Sequence, residues 1–209
     1  MNVSEAILRR RSIRRFKEDP ITQDDLIKIL EAARWAPTAV NRQKTRFIAV
    51  TNDELLKKIA DNSKIVFFKQ SHAAQSKAMI VVCIDSNQWI EEVGAAIQNI
   101  LLMSKALGIG SCWIGAFNRN VVRELLEIPI SYKIIALILL GYYSEEPHPP
   151  PRLDLGKIAF LNRWRNPIIK SKSGIFPKSG VFSILLTKIL TDTISDLENS
   201  PLSNSNNKK

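Results

Sequence analysis

Between positions 10 and 16 the chain reads Arg-Arg-Ser-Ile-Arg-Arg-Phe, its densest cluster of anion ligands. Arginine presents a planar fork of N–H donors matched to phosphate oxygens, and the Ser12 hydroxyl adds one more donor. If the backbone here is irregular, Arg10, Arg11, Ser12 and Arg14 can converge on a single phosphate. If it is helical, the same charges merely complement the dipole of a helix end.

A second segment, Ala36-Pro37-Thr38-Ala39-Val40-Asn41-Arg42-Gln43, carries two side-chain amides. Each amide both donates and accepts, which suits the hydrogen-bonding edge of a heterocycle. The same residue types are also ordinary turn formers. A third segment, Gly108-Ile109-Gly110-Ser111-Cys112-Trp113-Ile114-Gly115, is not a dinucleotide-binding glycine fingerprint. Trp113 holds the place of the last glycine, and the glycines follow a helix instead of opening one.

The elements that must position these segments are legible from periodicity and punctuation. A short helix is predicted over 3–10, with Val3, Ile7 and Ala6 facing inward. Asp19-Pro20-Ile21-Thr22 makes a turn, and Thr22 caps a helix over 23–35 whose apolar positions are Leu26, Ile29, Leu30 and Ala33. Pro37 ends that helix and opens the amide-bearing loop. A strand at Phe47–Thr51 and a helix at Asp53–Asn62 follow. Ala78–Asp85 is too apolar for a half-exposed strand and is predicted to be buried and central.

The stretch Glu91–Leu107 is helical and apolar on nearly every face, so it is either wholly internal or covered by a second subunit. Gly108 closes it. A strand at Ser111–Gly115, a helix near Asn120–Leu126 and a strand at Ile134–Gly141 complete a layered α+β or α/β domain, 1–165. Residues 166–209 read as a C-terminal extension: a basic loop to 179, an amphipathic helix over Val181–Leu197, and a polar disordered tail.

The chain has 209 residues, with 30 Lys+Arg against 20 Asp+Glu. Two cysteines, Cys83 and Cys112, cannot staple a fold of this size, which points to the reducing cytoplasm. Both sit in apolar strands and read as packing residues. Two histidines, His72 and His148, and no paired-cysteine motif give no zinc signature, and no metal is expected. No apolar run reaches the roughly 18 residues of a membrane span. MNVSEAILRRRS inverts the order of a secretory signal.

The positive charge is concentrated in residues 1–46 (11 basic, 6 acidic) and 152–209 (10 basic, 4 acidic). Such ends suit a phosphorylated small molecule, nucleic acid or an anionic membrane. Aromatic residues are not interleaved with the basic runs, so base stacking is unsupported and no nucleic acid is expected. Membrane-surface contact through 166–209 stays open.

Four blocks, RRSIRRF, APTAVNRQ, QNILLMSKALGIGSCWIG and ALILLGYYSEEPHPPPR, together resemble the nitroreductase family of flavoproteins, in order and at family-like spacing over about residues 5–160. The resemblance implies an α+β fold, a layered α/β/α sheet, and an obligate homodimer holding two FMN molecules in clefts between subunits. It places Arg10, Arg11, Ser12 and Arg14 on FMN, with Arg152 on the same phosphate. Pro37, Thr38, Asn41 and Gln43 would reach the ribityl chain and ring from the partner subunit. Trp113, Ile114 and Gly115 would lie along one side of the isoalloxazine.

Two features depart from the pattern. Gln43 is followed by Lys44-Thr45, where family members often have Pro-Trp. For the polar side chain that the family often sets near flavin N1 and O2, Lys69, Gln70 and His72 are the available residues.

The activity implied is transfer of a hydride from NADH or NADPH to a small acceptor: a nitroaromatic, a quinone or an activated alkene. The mechanism would be ping-pong, with flavin N5 carrying the hydride and no catalytic side chain. The alternatives are a different flavin reaction on the same fold (flavin remodelling, dehalogenation or dehydrogenation), or a basic membrane- or nucleic-acid-binding protein.

Overall fold

The computed structural model describes residues 1–61, 64–65, 68–69, 75–85 and 90–169. Two helices, α1 (Val3–Arg9) and α2 (Gln23–Arg34), precede strand β1 (Thr45–Val50), and α3 (Asp53–Asp61) follows it. A short hairpin, β2 (Lys64–Ile65) with β3 (Phe68–Lys69), leads towards β4 (Ala78–Asp85). Then come α4 (Glu91–Ala106), β5 (Gly110–Ile114), α5 (Arg119–Leu125) and β6 (Tyr132–Gly141).

The main sheet has the order β1-β4-β6-β5, and every pair within it is antiparallel. Strand β4 is central and buried along almost its whole length, as its composition requires. Its even positions, Ala78, Ile80, Val82 and Ile84, pack with Leu26, Ile29 and Ala33 of α2 and Val93, Ile97 and Ile100 of α4. Its odd positions, Met79, Val81 and Cys83, pack with Leu56 and Ile59 of α3 and Val122 of α5. Two apolar faces on one sheet demand helices on both sides, and the result is an α/β/α sandwich.

A bulge interrupts the β4–β6 ladder between Val82 and Cys83. Across it Ile134 and Ala136 fall on opposite faces of the sheet although both are even-numbered.

The cap of α2 forms as expected: Thr22 Oγ1 accepts from Asp25 N–H at 3.2 Å. Helix α1 corrects an expectation. Val3 and Ile7 are 72% and 52% exposed, and Ala6 is the one buried residue of the helix. A seven-residue helix seated on Ala6 turns Ile7 about 100° away from the contact. Helix α4 is not wholly internal either: Glu91, Gln98 and Ala106 are exposed, while Val93, Ile97, Ile100 and Leu101 are buried.

Strand β5 lies at the edge of the sheet, and the chain after α1 covers that edge. Ser12 forms a parallel bridge with Ser111, and Ile13 N–H donates to the Ser111 carbonyl at 2.9 Å. Lys17 N–H then donates to the Tyr142 carbonyl at 2.8 Å. The approach is close enough to require glycine. A Cβ on Gly110 would lie 2.9 Å from Ile13 Cβ and 2.8 Å from Tyr143 Cδ1. One on Gly141 would lie 2.7 Å from the Phe16 ring.

The chain divides into two compact units, Met1–Pro150 and the part beginning at Pro151. The described part of the second contains the four-residue helix α6 (Leu155–Ile158), capped by Asp154 Oδ1 accepting from Gly156 N–H at 2.9 Å. Phe160 bridges to Pro167 and packs its ring 4.7 Å from that of Trp164. The helix expected over Val181–Leu197 lies outside the described residues.

Gly110→Ala is expected to cost about 1–3 kcal/mol through this overpacking. That lowers Tm by about 2–4 °C per kcal/mol in a chain of this size, measurable by thermal unfolding.

Candidate functional site

Helix α1 ends at Arg9, and Arg10 already has extended backbone (φ −57, ψ 133) with its N–H closing onto the Ala6 carbonyl at 3.0 Å. The arginines beyond it therefore ride an extended segment laid along β5, not a helix end. Arg11 folds back, its Nη1 donating to the Leu8 and Arg10 carbonyls at 2.8 Å each. Arg14 is exposed, with Nη1 3.5 Å from the Ser12 carbonyl. Arg10 and Arg14 both lie close enough to Cys112 on β5 to pull electrostatically on its thiol. Ser12, Arg14 and Arg15 line a cleft of about 540 Å³ whose other wall includes Glu145 and Glu146.

Under this segment sits a group that sequence reasoning missed. Lys105, in the last turn of α4, is 7% exposed and pairs with Glu146; its Nζ also lies 3.1 Å from Tyr143 Oη. Tyr143 Oη donates to Glu146 Oε1 at 2.9 Å. Lys105 reads in sequence as an ordinary basic residue at a helix end. Its carboxylate partner is 41 residues away, and no local pattern links the two.

On β5 itself, Trp113 is 45% exposed while Ile114 is buried, and Gly115 follows in the open. Trp113 stands opposite Ile138 of β6 and so shares the sheet face covered by α2 and α4. Ser12 bridges to Ser111, two residues before Trp113, so the arginine segment and the tryptophan belong to one sheet edge.

The amide-bearing loop is strained. Val40, Asn41 and Gln43 have φ of 45°, 56° and 49°, and left-handed backbone is rare for a β-branched residue such as valine. Side chains hold the shape. Ala39 N–H donates to Glu92 Oε1 at 2.8 Å, and Gln43 N–H to Thr38 Oγ1 at 3.2 Å. Gln43 Nε2 donates to Asn41 Oδ1 at 3.0 Å, and Arg46 Nη1 to the Gln43 carbonyl at 2.7 Å. Strain of this kind collects at ligand clamps.

Behind the loop lies a cavity of about 480 Å³ lined by Leu30, Glu31, Arg34, Thr38, Gln43 and Glu92, among others. Arg34 and the Trp35 indole N–H bind the Glu31 carboxylate and hold its pKa down to about 2. Glu92 Oε2 and Thr45 Oγ1 are buried with no hydrogen-bond partner among the described residues. Pro37 is exposed at the start of the loop. The anchoring role of Glu92, like that of Lys105, has no signature in the sequence.

The two cation-rich and amide-rich groups sit at opposite ends of α4. Glu92 anchors the loop and Lys105 lines the gap beside Arg10 and Arg11. Thirteen residues of helix separate them, about 20 Å along the axis. Arg152 belongs to the second unit, exposed, with Nη1 3.4 Å from the Pro151 carbonyl. Of the residues considered for flavin N1 and O2, Lys69 falls on β3, and Gln70 and His72 lie outside the described residues.

An antiparallel sheet sandwiched by helices, with an arginine-rich segment on one edge and an exposed tryptophan beside it, defines an α+β domain built around a cationic sheet edge. The chain belongs to the nitroreductase family, whose model matches residues 7–83 and 84–142. A protein of Archaeoglobus fulgidus bearing the provisional name NADH dehydrogenase/NAD(P)H nitroreductase is 38% identical over 151 residues, covering 67% of this chain and 84% of that one. The NADPH-flavin oxidoreductase of Vibrio harveyi is 25% identical over 78% of this chain and 75% of its own.

Among solved structures, the FMN-dependent nitroreductase of Clostridium difficile R20291 superposes with a TM-score of 0.70 at 28% identity, covering 77% of this chain and 99% of that one. A Bacteroides fragilis nitroreductase with bound FMN gives 0.64 at 26% identity, covering 77% and 99%.

Neither cysteine is poised for chemistry. Burial pushes the Cys83 thiol up to about 11, and burial also raises Cys112 against the opposing pull of Arg14 and Arg10. At pH 8 about one Cys83 in a thousand is then a thiolate, the reactive form. A disulfide reagent should therefore leave both thiols of the native protein unmodified at pH 8 and titrate two after unfolding. Rapid reaction of either native thiol would contradict this packing.

Proposed function

We propose that this chain is an FMN-dependent oxidoreductase that passes a hydride from NAD(P)H to a small acceptor: a nitroaromatic, a quinone or an activated alkene. The observation that carries this reading is the shared sheet edge. The extended segment with Arg10, Arg11, Ser12 and Arg14 is pinned to the strand that carries Trp113, Ile114 and Gly115. The donor set suits FMN: guanidinium forks and a hydroxyl match a phosphate monoester, and an exposed indole beside a glycine suits a flat ring. When bound, FMN supplies the redox chemistry, accepting a hydride equivalent at N5 and returning it to the second substrate.

The chain's own residues then have distinct tasks. Arg10, Arg14 and Ser12 hold the phosphate, with Arg11 shaping the segment by donating to the Leu8 and Arg10 carbonyls. Arg152, which the family resemblance sets on the same phosphate, is proposed as a further cation. Lys105 and Glu146 brace the segment from beneath. Because Glu92, which anchors the loop, and Lys105, beside Arg10 and Arg11, lie about 20 Å apart along α4, we assign Pro37, Thr38, Asn41 and Gln43 to the site of a second copy of the chain.

Exposed Val3, Leu8, Ile27 and Trp35 supply apolar surface for such a homodimer. Residues 166–197 are proposed to wrap the partner subunit, adding interface or partly covering the cleft. Truncation after residue 165 should then weaken dimerisation or change the substrate range.

The purified protein should be yellow, release FMN on denaturation, and bleach anaerobically with NADPH or NADH. Arg14→Ala and Arg152→Ala should each weaken FMN binding by about ten- to a hundredfold, the worth of one hydrogen bond to a charged group. Lysine at either position should restore it only in part, because the fork is lost. A colourless protein that cannot be reconstituted with FMN would sink the reading, and wild-type flavin content in both alanine variants would sink the site assignment.

A further inference from the structure

The β5–β6 ladder ends at Ile114 and Leu137. Beyond it the chain turns through Gly115 and Phe117 into α5, while β6 carries its bulge opposite Val82 and Cys83, and a carbonyl on each segment, Gly115 and Ile134, accepts from a side chain. A single side chain takes both. Arg119, the first residue of α5, donates from Nε to the Ile134 carbonyl at 3.0 Å and from Nη2 to the Gly115 carbonyl at 3.2 Å. Its guanidinium also lies 4.8 Å from the centroid of the buried Phe117 ring. A planar fork stacked on an aromatic face is preorganised, so little is lost in holding two acceptors at once.

One turn further along α5, Arg123 plays a comparable part on carbonyls of the loop before β6 and of its first residue. It donates to Ile128 at 3.0 Å, Pro129 at 2.5 Å and Tyr132 at 2.8 Å. Of these two arginines, it is Arg119 that reaches the exit of β5. A trans peptide sets its C=O and N–H in opposite directions, so gripping the Gly115 oxygen turns the Ala116 N–H away from the guanidinium. That N–H meets no backbone acceptor among the described residues.

We infer that Arg119 is a positioning residue for the redox site: it fixes the backbone leaving Trp113, Ile114 and Gly115 and presents the Ala116 N–H there as an oriented donor. The inference rests on the reading that this segment lies along FMN. Arg119 touches neither the arginine segment nor the amide loop, so it governs how the ring is held and not whether the phosphate is bound. A preorganised donor and a cation behind it both favour the more negatively charged, reduced cofactor.

The test compares wild type, Arg119→Ala, Arg119→Lys and Arg123→Ala, each reconstituted with FMN. FMN affinity, the midpoint potential of the bound flavin, kcat and KM for NAD(P)H, and Tm are measured for each. Arg119→Ala should bind FMN with wild-type affinity but show a more negative potential and a kcat lower by about ten- to a hundredfold, with KM little changed. Arg119→Lys should recover part of both. Arg123→Ala should lower Tm while leaving potential and kcat at wild-type values.

An unchanged potential and kcat in Arg119→Ala would overturn the inference, as would equal changes in Arg123→Ala, which would mark general loosening. If Arg119→Ala does not fold, Arg119→Gln and Arg119→Lys carry the same comparison. Failure of the wild type to bind FMN would instead overturn the flavin reading, and the inference with it.

Discussion

The architecture of the candidate site depends on one close approach, where the segment after α1 lies against the edge of β5. An edge strand presents unpaired N–H and C=O groups that must be satisfied or covered. Here the Ile13 N–H takes the Ser111 carbonyl, Ile13 itself is buried, and Gly110 leaves the room for its side chain. The same contact that closes the sheet edge draws out the following residues as an extended run. Arg14 then faces solvent, because burying Ile13 turns its neighbour in an extended run to the opposite side, and Arg15 beyond it is exposed as well.

Concentrating cations in this way carries an electrostatic cost, and the structure offsets it with two carboxylates, one of which also pairs with the buried Lys105. Glu145 and Glu146 face the arginine cleft, and Glu146 also reaches inward to Lys105 and Tyr143. A buried lysine without a partner would be strongly destabilising, and Glu146 supplies that partner from the rim of the arginine cleft. The arrangement leaves the arginine segment with a net positive field, which suits an anion of more than one charge. The strained loop at the other end of α4 follows the same logic with different forces. Hydrogen bonds to Glu92 and Thr38 and from Arg46 hold three residues in left-handed backbone, which a β-branched residue such as Val40 rarely adopts.

Much of this was legible in the residues themselves. The apolar run 78–85 was bound to be a covered strand, and it is central with both faces packed. Thr22 announced its helix, Pro37 closed it, and Gly108 with φ 75° took the left-handed position after α4. Helix α1 was misread because a short amphipathic pattern does not say which of its apolar residues will find a neighbour; Ala6 did, while Val3 and Ile7 did not. Likewise the short hairpin of β2 and β3 carries too few residues for a periodic signal.

Local chemistry thus determined which residues can bind an anion or a heterocycle and which segments become helices and strands, since both depend on side-chain type and short-range spacing. Contacts across long sequence separations were decided only by the tertiary structure. The bridge from Ser12 to Ser111, the pairing of Lys105 with Glu146 and the tie from Ala39 to Glu92 join residues with no shared periodicity. The separation of the arginine segment from the amide loop by the length of α4 is of the same kind. It follows from the packing of a rigid 16-residue helix across the sheet, and no motif records that distance.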